Sequence, residues 1–200
     1  MARYTGPKHK LSRREGVNLS GKMSQSLERR LTTPPGSQGR RGRRKVTEYG
    51  IQLREKQKLK RIYGLLEKQF ARYVEQASRE KGNTEEVLLQ FLESRLDNIV
   101  YRMGFAHSRS QARQYVSHGH VLVNDQKINI PSYKVKEGDV VALRSKLAMV
   151  EVVKEKLTAD ETIVDFVKRT KDTGKVLRMP TRDEVANPVD YALVIEFYSR

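Results

Sequence analysis

The sequence predicts an α+β chain: a basic N-terminal arm, a helical domain, and a module of two helices packed on a small, mostly antiparallel sheet. Three observations predict it. Residues 1–46 are rich in Gly, Pro, Ser and Arg, with few apolar residues spaced to bury a face. From Thr47 to Met103 apolar residues recur at helical spacing. Beyond Gly119 the pattern changes to short β-branched runs separated by turn residues.

The arm contains KHKLSRREG and TTPPGSQGRRGRRK. By itself it offers too little apolar surface to offset the entropy of ordering, so it is expected to be extended and poorly ordered. A short helix around Pro7–Glu15 is compatible with its composition, and Pro34-Pro35-Gly36 breaks whatever precedes it. Thr47 is placed to cap a helix to about Tyr63, with Ile51, Leu59 and Ile62 on one side and Gly64 just past its end. A second helix is predicted from about Leu66 to Glu80, with Phe70, Tyr73, Val74 and Ala77 at helical spacing, and Gly82-Asn83 ending it. Thr84 caps a third, longer helix whose stripe runs Val87, Leu88, Phe91, Leu92, Leu96, Ile99, Val100, Met103, with Gly104 as the stop.

Ser108 followed by Gln111 reads as a capping box for a short helix over 109–118. His120–Val123 and Lys127–Ile130 flank Asn124-Asp125-Gln126, a hairpin signal. Glu137-Gly138-Asp139 turns into a strand at Val140–Leu143, and Leu147–Leu157 reads as helical. Val176–Met179 and Leu193–Tyr198 read as strands. The predicted division is an arm at 1–46, a helical domain of 47–92 plus 158–200, and a module at 93–157. The terminal VIEFYSR is expected to return to the helical part, because an apolar terminal strand needs cover.

The formal charge of the 200 residues is +16, and it is uneven. Residues 1–60 hold 17 Lys+Arg against 4 Asp+Glu, and the remaining residues hold 23 against 20. Such a balance favours a polyanionic partner, nucleic acid or an anionic membrane surface. No apolar run approaches the roughly 18 residues that span a bilayer, and the N-terminus has no signal-peptide core, so a soluble protein with no membrane partner is expected. Cysteine is absent, which excludes disulfides, thiolate metal sites and thiol nucleophiles.

Arg40, Arg41, Arg43, Arg44 and Lys45 form one cluster, interleaved with Gly39 and Gly42. Small residues let a backbone approach a phosphate chain closely, and guanidinium groups hold phosphates in bidentate fashion. Arg3, Lys8, Lys10, Arg13 and Arg14 add cations at the start of the arm. The 48–62 helix carries Arg54, Lys56, Lys58, Lys60 and Arg61 around most of its circumference, with only Glu48 and Glu55 as acids. That pattern predicts phosphates on more than one side, with Arg54, Lys58 and Arg61 as contacts. In the module, Arg109 and Arg113 are four apart and share a face. With His118, His120 and Lys127 they would form a cationic shelf for a sugar-phosphate backbone.

Other signals are weaker. His118-Gly119-His120 lacks a third and fourth metal ligand. Gly36-Ser37-Gln38-Gly39 matches a KH-type loop but lacks its flanking helices. Nucleotide-binding glycine motifs are missing, and Asp97 reads as a packing or ion-pair residue. Phe70, Tyr73 and Phe91 read as core. No catalytic residue, cofactor, metal or small-molecule substrate is expected.

The stretch SRLDNIVYRMGFAHSRSQARQYVSHGHVLVNDQKINIPSYKVKEGDVV closely resembles the S4 RNA-binding module, which also occurs in pseudouridine synthases, a bacterial tyrosyl-tRNA synthetase and a small heat-shock protein. A modifying enzyme would need a further catalytic domain, and too few residues follow the module to supply one. MARYTGPKHKLSRREG, YGIQLREKQKLKRIYGLLEKQF and VIEFYSR resemble the bacterial ribosomal protein S4 family, so the resemblance spans nearly the whole chain.

The resemblance implies a cytoplasmic structural constituent of the small ribosomal subunit. It implies primary binding to 16S rRNA at a helical junction of the 5′ domain, which nucleates assembly of the subunit body. It also implies a contact with ribosomal protein S5 that influences translational accuracy, and a place near the mRNA entry channel. The alternative is an RNA-binding translational repressor of its own mRNA. Some members carry four N-terminal cysteines that bind zinc; this chain has KHKLSRREGVNLSGKMSQ there, so it resembles the zinc-less variant.

Overall fold

The computed structural model describes residues 4–19, 24–36, 47–158 and 163–199. They form two compact units. One runs up to Glu85 and resumes at Asn187; the other is Glu86–Ala186. No helix among the described residues is long and apolar enough to cross a membrane.

In the first unit the long helix α3 (Glu48–Ile62) is the axis. The Thr47 side chain caps it by accepting from Gly50 N–H at 3.2 Å. At its end Leu65 N–H donates to Lys60 C=O at 3.0 Å and Gly64 N–H to Arg61 C=O at 3.1 Å. Gly64 sits at φ 64°, so this is a Schellman closure of the kind a glycine one step past the helix permits. α4 (Glu67–Arg79) buries Phe70, Tyr73, Val74 and Ala77, the four positions its spacing predicts. Within the basic arm, α1 (Lys8–Glu15) is the short helix its composition allows and α2 (Gln25–Arg30) is helical rather than extended; the two pack on each other, with α1 also against α3. Leu27 is 1% exposed and Leu19 8%, so two leucines supply the cover that the composition alone did not suggest.

The C-terminal segment returns to this unit, but as helix α10 (Tyr191–Tyr198) rather than a strand. Its apolar run is read as β by propensity, yet Asp190 accepts from Ala192 N–H at 3.0 Å and starts a helix. Tyr191 and Val194 then fall inside at 3% and 0% exposure against α3 and α4. Tertiary packing overrides propensity here. The Asn187 amide fastens the start of α10 to α3, donating to Tyr63 Oη at 3.0 Å and Tyr191 Oη at 3.1 Å.

In the second unit the predicted 84–103 helix is two helices, α5 (Thr84–Glu93) and α6 (Leu96–Arg102). The break has a non-local cause. Residues 131–135 insert there: Val135 N–H donates to Ser94 C=O at 2.8 Å, and Leu96 and Asp97 N–H donate to Tyr133 and Pro131 C=O at 2.9 and 3.2 Å. α7 (Arg109–Ser117) is capped by Ser108, which accepts from Gln111 N–H at 3.3 Å, while Gln111 Oε1 accepts from His107 N–H at 2.9 Å. The capping box is thus offset by one residue. The region predicted as one helix over Leu147–Leu157 is α8 (Ser145–Ala148) followed by α9 (Glu151–Thr158).

Five antiparallel strands follow the order β2-β1-β3-β5-β4, where β1 is Val121–Val123, β2 Gln126–Ile128, β3 Val140–Leu143, β4 Val167–Thr170 and β5 Thr173–Val176. Asn124 and Asp125, at φ 48° and 64°, make a two-residue type I′-like turn, one residue tighter than predicted. The fourth strand sits in a stretch that reads as polar, and the fifth lies three residues earlier than predicted. Both belong to the sheet of the second unit, and residues 86–92, within helix α5, belong to that unit too; the sequence division put all three with the helical domain. The reason is register: Val141 pairs Gly174, and Val167 pairs Val176, which places apolar side chains of all central strands on one face.

That face packs on the C-terminal end of α6. Arg169 Nη1 donates to Met103 and Gly104 C=O at 3.3 Å each. A Cβ built at Gly174 would lie 2.6 Å from Met103 Sδ and 3.3 Å from Lys168 C=O, so only glycine admits the methionine. Gly174→Ala is therefore expected to destabilise the protein by about 1–3 kcal/mol in urea denaturation. An unchanged midpoint would show that Met103 has room to move.

Candidate nucleic-acid interface

Three groups of cations emerge from this fold, and they differ in what they touch. The first is a buried polar network beneath α7. Arg95, 1% exposed, grips Asp97 with two hydrogen bonds, Nε to Oδ1 at 3.1 Å and Nη2 to Oδ2 at 2.8 Å. Arg113 reaches the same carboxylate from α7, Nη1 to Oδ2 at 3.1 Å. Glu93, whose side chain has 0% exposure, accepts from Asn98 Nδ2 at 2.7 Å and from both Nε and Nη2 of Arg102 at 2.8 and 2.7 Å. Arg109 donates to Asn98 Oδ1 at 2.8 Å and lies 4.7 Å above the Tyr101 ring.

The shelf predicted from Arg109 and Arg113 is thus half-buried. Both arginines face α6; three guanidinium groups, those of Arg95, Arg102 and Arg113, share two carboxylates, and Arg109 is held by the Asn98 amide oxygen. Asp97 is an ion-pair residue, as its context suggests. His118 is exposed, His120 half-buried, and their rings lie 6.1 Å apart. No group of three or more potential metal ligands occurs among the described residues. Phe91 is half-buried, with Lys134 Nζ 3.8 Å from its ring centroid.

The second group lies on α3, where acids from other elements have met many of the cations. Glu15 of α1 takes both Arg54, at 3.4 Å, and Arg61. Lys58 pairs with Glu55. Lys56, 6% exposed, and Lys60 converge on Glu67 at 2.7 and 2.6 Å, and Tyr198 Oη donates to Glu67 at 2.7 Å. Burial alone would raise Glu67, but the hydrogen bonds from Lys56, Lys60 and Tyr198 outweigh it and hold the carboxyl at about 2. The tyrosine is pushed up by burial and by the same carboxylate. The expectation of phosphates on several sides of α3 therefore needs correcting: Gln52, Lys56, Leu59 and Ile62 are buried, and the inner cations are held by protein acids.

The third group is the outer surface of α1 and α2. Lys8, Lys10 and Arg14 are exposed, as are Arg29 and Arg30, which the sequence reading did not single out. Arg13 is turned inward, donating to Thr33 C=O at 3.0 Å and Pro34 C=O at 3.2 Å. A cleft of about 330 Å³ opens between these helices, lined by His9, Lys10, Arg13, Arg30, Leu27 and Pro35 among others. Arg3 and the Arg40, Arg41, Arg43, Arg44, Lys45 cluster lie outside the described residues.

Comparison with known proteins decides the lineage. The chain matches the family described as ribosomal protein S4/S9 N-terminal domain over residues 3–93, and the S4 domain over residues 94–141. It is 54% identical to the small ribosomal subunit protein uS4A of Symbiobacterium thermophilum, with 100% of both chains covered. Identity to the uS4 proteins of Thermotoga petrophila and Ralstonia pickettii is 53% and 50%, again over 100% of both chains. The chain belongs to the uS4 family.

The S4-domain match begins at Ser94, where α5 breaks, and ends inside β3. Of the buried network only Glu93 falls outside it. The side chains near α1 do not fit the zinc site of cysteine-bearing uS4 members. Cysteine is absent and His9 is exposed. Arg13 on the Thr33 and Pro34 carbonyls, with Leu27 beneath, ties the segment together instead.

Removing Asp97 leaves Arg95 buried without its carboxylate. Asp97→Ala is expected to destabilise the protein by about 3–5 kcal/mol in chemical denaturation, far more than Arg79→Ala at an exposed helix pair. Equal losses would remove the network from its structural role. Glu67 gives a pH prediction. Its folded pKa is depressed from 4.5 to about 2, so its contribution is present above about 4.5 and is lost as pH falls toward 2. Glu67→Gln should therefore lose less stability than wild type across that window. Parallel stability curves would contradict the pairing.

Proposed function

We propose that this chain is a structural constituent of the small ribosomal subunit. In this reading it binds 16S rRNA as a primary binder that nucleates assembly of the subunit body. Membership of the uS4 family over the full length supports the ribosomal role. The observation that carries the rRNA contact is the distribution of charge. The α1–α2 surface keeps Lys8, Lys10, Arg14, Arg29 and Arg30 exposed, and residues 1–60 hold 17 Lys+Arg against 4 acids.

The mechanism is electrostatic and shape-based. Basic side chains displace counterions from phosphates, while a preformed surface fits a folded junction rather than reading a linear sequence. Further rRNA contacts in this reading are Arg3 and the Arg40, Arg41, Arg43, Arg44 and Lys45 cluster and, on the second unit, His118 and His120. Arg109 and Arg113 act from within, by positioning α7 and adding to the positive field. A contact with ribosomal protein S5 that influences accuracy suits the exposed Tyr49 and Ile51, 51% and 45% exposed, with Phe197 5.5 Å from the Tyr49 ring. The basic arm is suited to lie beside mRNA near the entry channel.

The test is binding of the full-length protein to the 16S 5′ domain across a salt series. Affinity should fall linearly on a log–log plot, and Lys10→Gln with Arg14→Gln should reduce the slope by about 2 and weaken binding by about 1–3 kcal/mol. Binding no tighter than to an unrelated folded RNA of equal length would overturn the reading.

A further inference from the structure

The outer face of the five-stranded sheet carries a cluster of lysines that the fold itself does not use. Strand alternation fixes which side chains lie there. Val167, Val176 and Gly174 turn inward, with Arg169 reaching the end of α6. Lys168, Thr170, Thr173 and Lys175 therefore turn outward.

The pairing joins them into two rows. Lys168 stands directly opposite Lys175, which stands opposite Val140. Thr170 stands opposite Thr173, then Ala142, Leu122 and Lys127 in turn. Lys127, Lys168 and Lys175 are all exposed, and none of the strand positions on the face they share is acidic. The side-chain ammonium groups of the three lysines make no hydrogen bond or ion pair among the described residues. Lys127 lies with its stem against Gly119, where a Cβ would come within 2.3 Å of Cε, so its ammonium is held at the sheet edge. At strand spacings of about 4.8 Å and a rise of about 3.4 Å per residue, the Lys127 and Lys175 backbones, three strands and two residues apart, are roughly 16 Å from each other.

Two ammonium groups directly across a ladder repel each other, so the Lys168–Lys175 pair works against the sheet that carries it. An edge strand needs a lysine to deter strand addition, but that accounts for Lys168 and not for a second lysine placed opposite it on an inner strand. An anion lying across the strands removes the repulsion. From this geometry we infer that the outer sheet face is a second phosphate-binding surface, built on Lys127, Lys168 and Lys175, which takes a sugar-phosphate backbone of the bound RNA. The inference rests on the rRNA-binding reading, and it adds a surface on the unit opposite in sequence to the basic arm.

The test uses the full-length protein and the 16S 5′ domain, or the whole small-subunit RNA where the 5′ domain leaves the face unfilled. Lys168→Gln with Lys175→Gln should lower the slope of log affinity against log salt by about 2, one per phosphate contact. Lys168→Glu should place a carboxylate opposite Lys175 and raise the melting temperature of the free protein by about 1–3 °C, while weakening RNA binding at least tenfold. A purely structural or solubilising face would move stability without moving the slope. Wild-type binding with an unchanged slope in both variants on both RNAs overturns the sheet surface and leaves the rRNA reading standing, whether the face then serves an acidic protein or solvent. Failure of the wild type to bind either RNA overturns both.

Discussion

A buried carboxylate shared by two arginines organises the second unit. Asp97 sits in the first turn of α6, Arg95 immediately before it at the helix break, and Arg113 on α7. A carboxylate placed among Leu96, Ile99 and Val100 is strongly unfavourable unless its charge is met at close range. Meeting it fixes three things at once: the extended geometry of Arg95, the insertion of residues 131–135 at the break, and the position of α7 over α6. Glu93 repeats the device one turn earlier with Arg102 and Asn98, and Asn98 in turn orients Arg109. The sheet then docks where α6 ends, through Arg169 on two helix-terminal carbonyls and Gly174 against Met103.

The first unit solves a different problem with the same means. α3 carries too many cations to pack on neighbours unless acids come to it. Glu15 arrives from α1 and Glu67 from α4, each receiving two cations. This lets Lys56 lie at 6% exposure with its ammonium 4.4 Å from the Phe197 ring centroid, an arrangement that also anchors α10. The arm and the C-terminal helix are thus held to α3 partly by electrostatics.

Local chemistry was readable from the residues. Thr47, Gly64, Ser108 and the 3.6-residue spacing of Phe70, Tyr73, Val74 and Ala77 act within a few residues of where they stand, and the helices they mark are present. What depends on distant partners was not readable. The apolar stripe from Val87 to Met103 continues through the break because the carbonyl and amide partners that stop the helix lie some forty residues on. The β4 strand hides behind Lys168 and Arg169, since an inward arginine looks polar until Met103 is known to lie beneath it. The terminal YALVIEFY has the composition of a strand and the surroundings of a helix. For the same reason Arg109 and Arg113 look like a free shelf: their spacing puts them on one face, but the spacing does not say that Asn98 and Asp97 already occupy it.

These placements change how the charge of +16 should be understood. Internal pairing does not abolish it; it arranges the remainder. Around α3 five cations share Glu15, Glu55 and Glu67, and beneath α7 three guanidinium groups share Glu93 and Asp97 while Arg109 is held by Asn98. Each cluster gains rigidity from its carboxylates and keeps a positive surplus. A field from fixed, half-buried charges differs from one made by mobile surface lysines, because its geometry is set before any partner arrives and little ordering entropy is lost on contact. A rigid positive field suits a folded RNA whose phosphates are themselves fixed in space. On the proposed rRNA-binding reading, the exposed cations of α1 and α2 are the ones left to meet phosphates, while the internally paired ones fix the shape of the unit that holds them.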